Sequence, residues 1–190
     1  MLATRGILRN AQKIRIPFNR TVFNQNEMAY SEKRLIGFSR AEMFDVVANV
    51  TEYHHFVPWC RSSNVTHEHD NSQIATLEIG FPPLLEKYTS RVIYIKPSVV
   101  HSVVIENDNL FKTLDTTFRF GKGKEGIERS CTLHYDLVFE FESAFHSRIA
   151  HLFFDRVVKT MVSAFLDRAE KKYGKPSFPH SAPKVLQYKS

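Results

Sequence analysis

The chain has 190 residues, 43% of them hydrophobic and 16 of them phenylalanine, with a formal net charge of +6. That length favours one domain with extensions, and that composition supports an aromatic-rich core rather than disorder. No apolar run approaches the roughly 20 residues a helix needs to cross a bilayer.

The positive charge is unevenly placed. Residues 1–20 hold Arg5, Arg9, Lys13, Arg15 and Arg20 and no acid, which leaves 21 basic against 20 acidic residues beyond them. A protein that binds phosphate backbones concentrates basic charge in its folded part, so nucleic acid is not expected as a partner. The same stretch sets Arg5, Arg9 and Lys13 along one side of a helix and has no long apolar centre. This is the pattern of a mitochondrial transit peptide, expected over residues 1–26, although serine is absent from its basic stretch. Cys60 and Cys131 make no disulfide framework and are expected as buried thiols.

From Tyr30 to Phe38 the sequence is short and mixed. Ser39 with Glu42 three residues on forms a capping box before Met43, Phe44, Val46, Val47 and Val50, the apolar side of a short helix. A second helical turn is expected through Tyr53 to Phe56, ended by Pro58. Beyond Ser63 the period changes to two. Ala75, Leu77 and Ile79 alternate with polar residues, then Tyr88, Ser90, Val92 and Tyr94, then Val99, His101, Val103 and Ile105. Leu114, Thr116, Phe118 and Phe120 follow, and last Cys131, Leu133, Tyr135, Leu137, Phe139 and Phe141. Short connections, such as Lys96-Pro97-Ser98 and Asn107-Asp108-Asn109, predict six or seven antiparallel strands with one apolar face.

Residues 145–172 predict a long amphipathic helix. Its stripe is Phe145, Ile149, Leu152, Phe153, Val157, Met161, Phe165 and Ala169, widened by Val158, Val162 and Leu166. Gly174 suits the position just past its end, and Pro176 a stop. One sheet face and one helix stripe both need burial, so the economical arrangement wraps a curved sheet around the helix, an α+β fold. Residues 27–173 form the expected domain. Residues 174–190, with three prolines, are expected as a loose tail.

This order resembles the helix-grip fold of the START-like, polyketide cyclase superfamily. The sharpest match is Tyr53-His54-His55-Phe56-Val57-Pro58-Trp59-Cys60 with a serine just after. It resembles the signature of the mitochondrial coenzyme Q-binding proteins, as do Gly37-Phe38-Ser39 and Tyr88-Thr89-Ser90-Arg91-Val92. The resemblance implies a ubiquinone-binding lipid chaperone, not an enzyme, peripheral on the matrix side of the inner mitochondrial membrane. Such a protein supports coenzyme Q biosynthesis and respiration, in contact with biosynthetic or respiratory complexes. It assigns no catalytic residue and no cofactor beyond ubiquinone as ligand. A cyclase or aromatase acting on a polyketide-like substrate is the alternative within the superfamily, and a packed interaction module without ligand is a third reading.

On the quinone reading the ligand lies between sheet and helix. Its expected lining is Phe56, Trp59, Leu77, Tyr88, Val92, Tyr94, Val103, Leu114, Phe118, Leu133, Tyr135 and Leu137, with Phe153, Val157, Met161 and Phe165 from the helix. Quinone oxygens only accept hydrogen bonds. The donors expected among the apolar set are Tyr88, Ser90, Tyr94, His101, Tyr135 and Trp59. Each also suits a purely structural role. Phe81-Pro82-Pro83-Leu84 is an apolar turn, read as a membrane contact or gate, or as a buried corner. Aromatic-rich surface favours a homo-oligomer without fixing its size. The histidines complete no four-ligand set, so no metal is expected. Gly121-x-Gly123-x-x-Gly126 spells a dinucleotide fingerprint, but it lies between two strands with no helix after it and reads as a turn.

Overall fold

The computed structural model describes residues 27–81, 84–107 and 110–190, with backbone alone at residues 81, 84, 144–147 and 149–153. The expected transit peptide, Pro82 and Pro83, and the side chains of Phe81, Leu84 and Phe153 lie outside that description.

Strand β1 (Glu27–Ile36) leads into helix α1 (Arg40–Ala48) and a 3-10 helix (Val50–His55). Then come β2 (Cys60–His69), β3 (Ser72–Phe81), β4 (Leu84–Ile95), β5 (Val99–Asn107), β6 (Phe111–Gly121) and β7 (Cys131–Phe141). Helix α2 (Ala144–Tyr173) follows, and β8 (Lys184–Lys189) ends the chain. The strands form one antiparallel sheet in the order β2-β3-β4-β5-β6-β7-β1-β8. The five connections from β2 to β7 each join neighbouring strands, which is the meander the turn signals predict.

The capping box is formed: the Glu42 N–H donates to Ser39 Oγ at 3.2 Å, and the Ser39 N–H to Glu42 Oε2 at 2.8 Å. It starts α1 so that Met43, Phe44, Val46 and Val47 are buried. At the other end of the chain Gly174 takes φ 77 and its N–H bonds the Glu170 carbonyl at 2.9 Å, so the expected stop of α2 is in place.

Among the described side chains of α2 the buried ones are Phe154, Val158, Val162, Phe165, Leu166 and Ala169, which follow the three- and four-residue spacing of one helix face. Val157 and Met161, expected at the centre of the stripe, are only partly buried. The last third of the helix is pinned to the first helices. Arg168 donates to Glu52 at 2.7 Å, Lys172 to Asp45 at 2.5 Å, and the Tyr173 hydroxyl also to Asp45.

Two expectations are corrected. Residues 174–190 are not a loose tail. The Ser177 N–H bonds the Gly37 carbonyl at 2.8 Å, and the Ser181 N–H bonds that of Leu35 at 2.9 Å. β8 then pairs with β1 from Ala29↔Lys189 to Lys33↔Lys184. The prolines end before Lys184, and the stretch Lys184-Val185-Leu186-Gln187-Tyr188-Lys189 satisfies the backbone groups that the edge of β1 leaves unpaired. A Cβ on Gly37 would lie 2.5 Å from the Phe178 carbonyl oxygen, so this crossing needs glycine there.

The second correction concerns β5. Val100 lies opposite both Tyr94 and Phe118, and Ser102 opposite Val92 and Thr116. Directly paired residues share a face, so Val100 and Ser102 face inward, while His101 and Val103 face outward. Val99-Val100-His101-Ser102-Val103-Val104 carries valines in both phases, so its alternation does not choose a face.

Candidate functional site

A cavity of about 210 Å³ lies between the inner face of the sheet and α2. Every layer of the fold contributes to it. From the first helices come Val47, Val50 and Tyr53, and from the turn before β2 come Val57, Pro58 and Trp59. β2, β3 and β4 supply Cys60, Leu77, Ile79, Glu86, Tyr88, Ser90 and Val92. β5 supplies Val100 and Ser102, and Leu110 precedes Phe111, Leu114, Thr116 and Phe118 of β6. β7 adds Tyr135, Leu137, Phe139 and Phe141, and α2 adds Phe154, Val157, Met161 and Phe165. Val157 and Met161 are partly buried because they face this space rather than packed side chains.

Of the expected lining, Trp59, Leu77, Tyr88, Val92, Leu114, Phe118, Tyr135, Leu137, Val157, Met161 and Phe165 face the cavity. Four others do not. Phe56 packs on Phe165 and Tyr53 at ring distances of 5.3 and 5.7 Å, with the Arg168 guanidinium 5.6 Å from its ring. Tyr94 lies under α1, against Phe44, with its hydroxyl on the Ala48 carbonyl at 3.3 Å. Leu133, fully buried opposite Phe120, belongs to the packed core further along the strand. Val103 is on the outer face, opposite Arg91 and Asp115. His101, expected inside as a donor, is also outside: its Nε2 lies 3.0 Å from Asp115 Oδ2. The Phe153 side chain lies outside the description, and its neighbour Phe154 lines the wall.

The lining residues missed in the sequence have identifiable signals. Ile79, Phe139 and Phe141 lie in the correct alternation phase. Phe154 falls four residues before Val158 and eight before Val162. Ser102 is visible only through the register of β5. Glu86 continues the inward phase of Tyr88 and Ser90, and is the one charged lining residue among the described residues.

Trp59 is held in the left-handed region at φ 62. For a residue with a Cβ this costs about 1–2 kcal/mol. The Gly80 N–H bonds the Trp59 carbonyl at 2.9 Å and the Cys60 N–H bonds that of Val57 at 3.2 Å, which anchors the turn and its indole in the wall. Cys60, next in sequence, is a free thiol that burial pushes up to about 11. Cys131 is likewise free, buried, and pushed up to about 12 by burial.

The phenols divide into two groups. Tyr53 donates to the Val47 carbonyl at 2.5 Å, and Tyr94 to the Ala48 carbonyl. Tyr30 donates to Glu32 at 2.6 Å; that carboxylate is fully buried and is also held by Arg34 at 2.5 and 3.1 Å. Tyr88 and Tyr135 face the cavity and have no hydrogen-bond partner among the described residues. Burial raises the pKa of both, and at Tyr135 the charge of Glu32 adds to it, so each remains a neutral O–H donor.

The site is thus a largely apolar chamber with hydroxyl donors set into its wall. Residues 36–166 match the model of the polyketide cyclase / dehydrase and lipid transport family. The chain is 40% identical over 166 residues to coenzyme Q-binding protein COQ10 homolog B, mitochondrial, of Xenopus laevis, covering 87% of this chain and 68% of that protein. The chain belongs to the COQ10 family of coenzyme Q-binding proteins. To the mitochondrial coenzyme Q-binding protein COQ10 of Drosophila melanogaster it is 37% identical over 155 residues, 82% of this chain and 64% of that one. The chain therefore spans about two thirds of the length of these relatives. Among solved structures, the Zhui aromatase/cyclase from Streptomyces sp. R1128 superposes with a TM-score of 0.67 at 14% identity, over 77% of this chain and 95% of that one. This likeness concerns the fold alone.

Proposed function

We propose that the protein binds ubiquinone in the cavity under α2 and acts as a lipid chaperone. In this reading it is not an enzyme; it supports coenzyme Q biosynthesis and respiratory electron transport from the matrix side of the inner mitochondrial membrane. The observation that carries the reading is the chamber itself: about 210 Å³, walled by aliphatic and aromatic side chains, with the phenols of Tyr88 and Tyr135 in its lining. The names of the frog and fly relatives support the choice of ligand.

The size of the chamber bears on how a polyisoprenoid quinone is held. It is smaller than the about 300–1,000 Å³ of common small-molecule pockets. It suits a substituted ring and the first part of a tail, with the rest of the tail outside. Burying hydrocarbon from water is worth about 0.8 kcal/mol per methylene. A tail drawn from a bilayer is already dry, so that gain nearly vanishes. Selection therefore rests on the ring and on shape. The cyclase alternative rests on a likeness of fold at 14% identity and on a family model whose description covers cyclases and lipid transport alike, while the named relatives that share 37–40% of their residues are coenzyme Q-binding proteins.

The test is to purify the chain without detergent from cells that make ubiquinone, extract its lipid and identify it by mass spectrometry. Ubiquinone well above its share of the membrane lipid is expected. Protein that carries phospholipid alone, or nothing, overturns the reading.

A further inference from the structure

The chain has seven tyrosines, and all lie within the described residues. Five of their hydroxyls donate to a protein acceptor. Tyr30 bonds Glu32, Tyr53 the Val47 carbonyl, Tyr94 the Ala48 carbonyl, Tyr173 Asp45 and Tyr188 Asp155. The two without a partner, Tyr88 and Tyr135, both line the cavity. Nor are they sealed in packing. Among the described residues the one side-chain polar atom that is both enclosed and unpartnered is Glu27 Oε1, so both phenol oxygens open onto cavity space.

We infer that Tyr88 on β4 and Tyr135 on β7 form a two-point donor pair that holds the acceptor oxygens of a flat ring, and that this pair is what separates a quinone from a hydrocarbon lipid in the same chamber. The inference rests on the quinone reading above.

Burying a phenol without an acceptor is unfavourable, and phenylalanine would fill the same volume without that penalty. The two positions therefore make physical sense when a ligand supplies the missing acceptors. The rings fix where the hydroxyls point. Tyr88 stands edge-on to Phe111 with centroids 5.6 Å apart, and Tyr135 packs on Phe118 at 4.7 Å. The strands differ: β4 and β7 are separated by β5 and β6 in the sheet. The two donors thus reach the same chamber from strands three places apart in the sheet. A ring with oxygens at opposite edges satisfies both donors at once. A hydrocarbon or a lipid tail satisfies neither and leaves both desolvated.

The experiment uses Trp59, the one tryptophan of the chain and itself part of the wall, as a fluorescent reporter quenched by a bound quinone. A short-tailed ubiquinone is titrated into the wild type, Tyr88→Phe, Tyr135→Phe, the double variant, and Tyr94→Phe as a control outside the chamber. Squalene, which has no oxygen, is measured as a competitor. Each single cavity variant is expected to weaken quinone binding about tenfold, or about 1.4 kcal/mol, and the double variant more than either. Squalene binding stays the same or tightens, and Tyr94→Phe binds quinone as the wild type does. Thermal melts confirm that the isosteric variants fold. A double variant that binds quinone like the wild type overturns the donor pair and leaves the quinone reading standing. A wild type that does not bind quinone overturns both.

Discussion

Arg129 donates from Nε to Glu42 Oε1 at 2.8 Å, across 87 residues of chain. Glu42 is the capping-box residue of α1, and its other oxygen accepts from the Ser39 N–H. The same guanidinium donates to the Tyr173 carbonyl at 3.0 Å and the Lys175 carbonyl at 2.6 Å, where α2 ends. One side chain in the loop before β7 therefore ties the start of α1 to the end of α2. Arg129→Ala should cost about 1–2 kcal/mol, the lower part of the range for charged hydrogen bonds because the group is partly exposed. Burial pushes the Glu42 carboxyl up, but the Ser39 amide and hydroxyl and the Arg129 guanidinium outweigh it and hold it below 4.5. A lowered carboxylate pKa stabilises above the unfolded value and is lost as pH falls through the folded one. Thermal melts should therefore fall below about pH 4.5, and less steeply in Glu42→Gln. Equal slopes in the two proteins would refute the assignment.

Particular residues show why parts of this molecule are legible in the sequence. β4 is plain because Tyr88, Ser90, Val92 and Tyr94 face in while Lys87, Thr89 and Arg91 face out. α1 is plain because a local motif, Ser39 with Glu42, sets its start. β5 is opaque because apolar residues fill both phases, and only pairing with Tyr94 and Phe118 decides between them. The cavity wall was legible where alternation and burial coincide, as at Leu77 or Tyr135. It failed at Tyr94, which is inward like the lining but lies under α1, and at Leu133, which belongs to the packed core. No alternation pattern reports how far along a strand the chamber extends. β8 escaped because three prolines mark the segment as irregular, and its partner lies some 150 residues earlier in the chain.

The outward face of β5 makes a titration prediction. His101 bonds Asp115 with both side chains partly exposed, and that hydrogen bond, opposed by burial, raises the histidine above 6.5. A raised histidine pKa stabilises fully below the unfolded value, and the contribution disappears as pH rises through the folded one. NMR titration should place His101 above 6.5, and Asp115→Asn should lower it. Quinone binding should not follow the same titration, because the pair lies on the far side of the sheet. A binding curve that tracks His101 would contradict that placement.

Tyr188 links the last strand to the wall of the chamber. Its hydroxyl donates to Asp155, and its ring meets Phe154 edge-on at 5.3 Å and Tyr30 at 6.3 Å. Phe154 lines the cavity, so β8 braces the half of α2 that lacks the Asp45 and Glu52 anchors. Removing residues 184–190 should cost about 1–5 kcal/mol, at about 0.2–1 kcal/mol for each of the five lost cross-strand pairs. Tyr188→Phe should cost less than about 1 kcal/mol, since the group is exposed. Hydrogen exchange should quicken around Phe154 in the truncated chain more than around Phe165. Uniform exchange along α2 would show that β8 does not brace it.

Filling the chamber should separate folding from binding. Ser102 points inward from β5, between Val92 and Thr116 and facing open volume rather than packed atoms. A larger side chain there occupies space a ligand needs. Overpacking a filled core costs about 1–3 kcal/mol, but this site has about 210 Å³ free. Ser102→Phe should therefore melt within a few degrees of the wild type and keep its circular dichroism spectrum. It should lose most of its quinone binding, read by Trp59 quenching or by extracted lipid. Ser102→Ala, which adds no volume, should bind as the wild type does. If Ser102→Phe folds and still binds quinone at full affinity, the ligand does not occupy the space between β5 and α2, and the binding site must be sought outside this chamber.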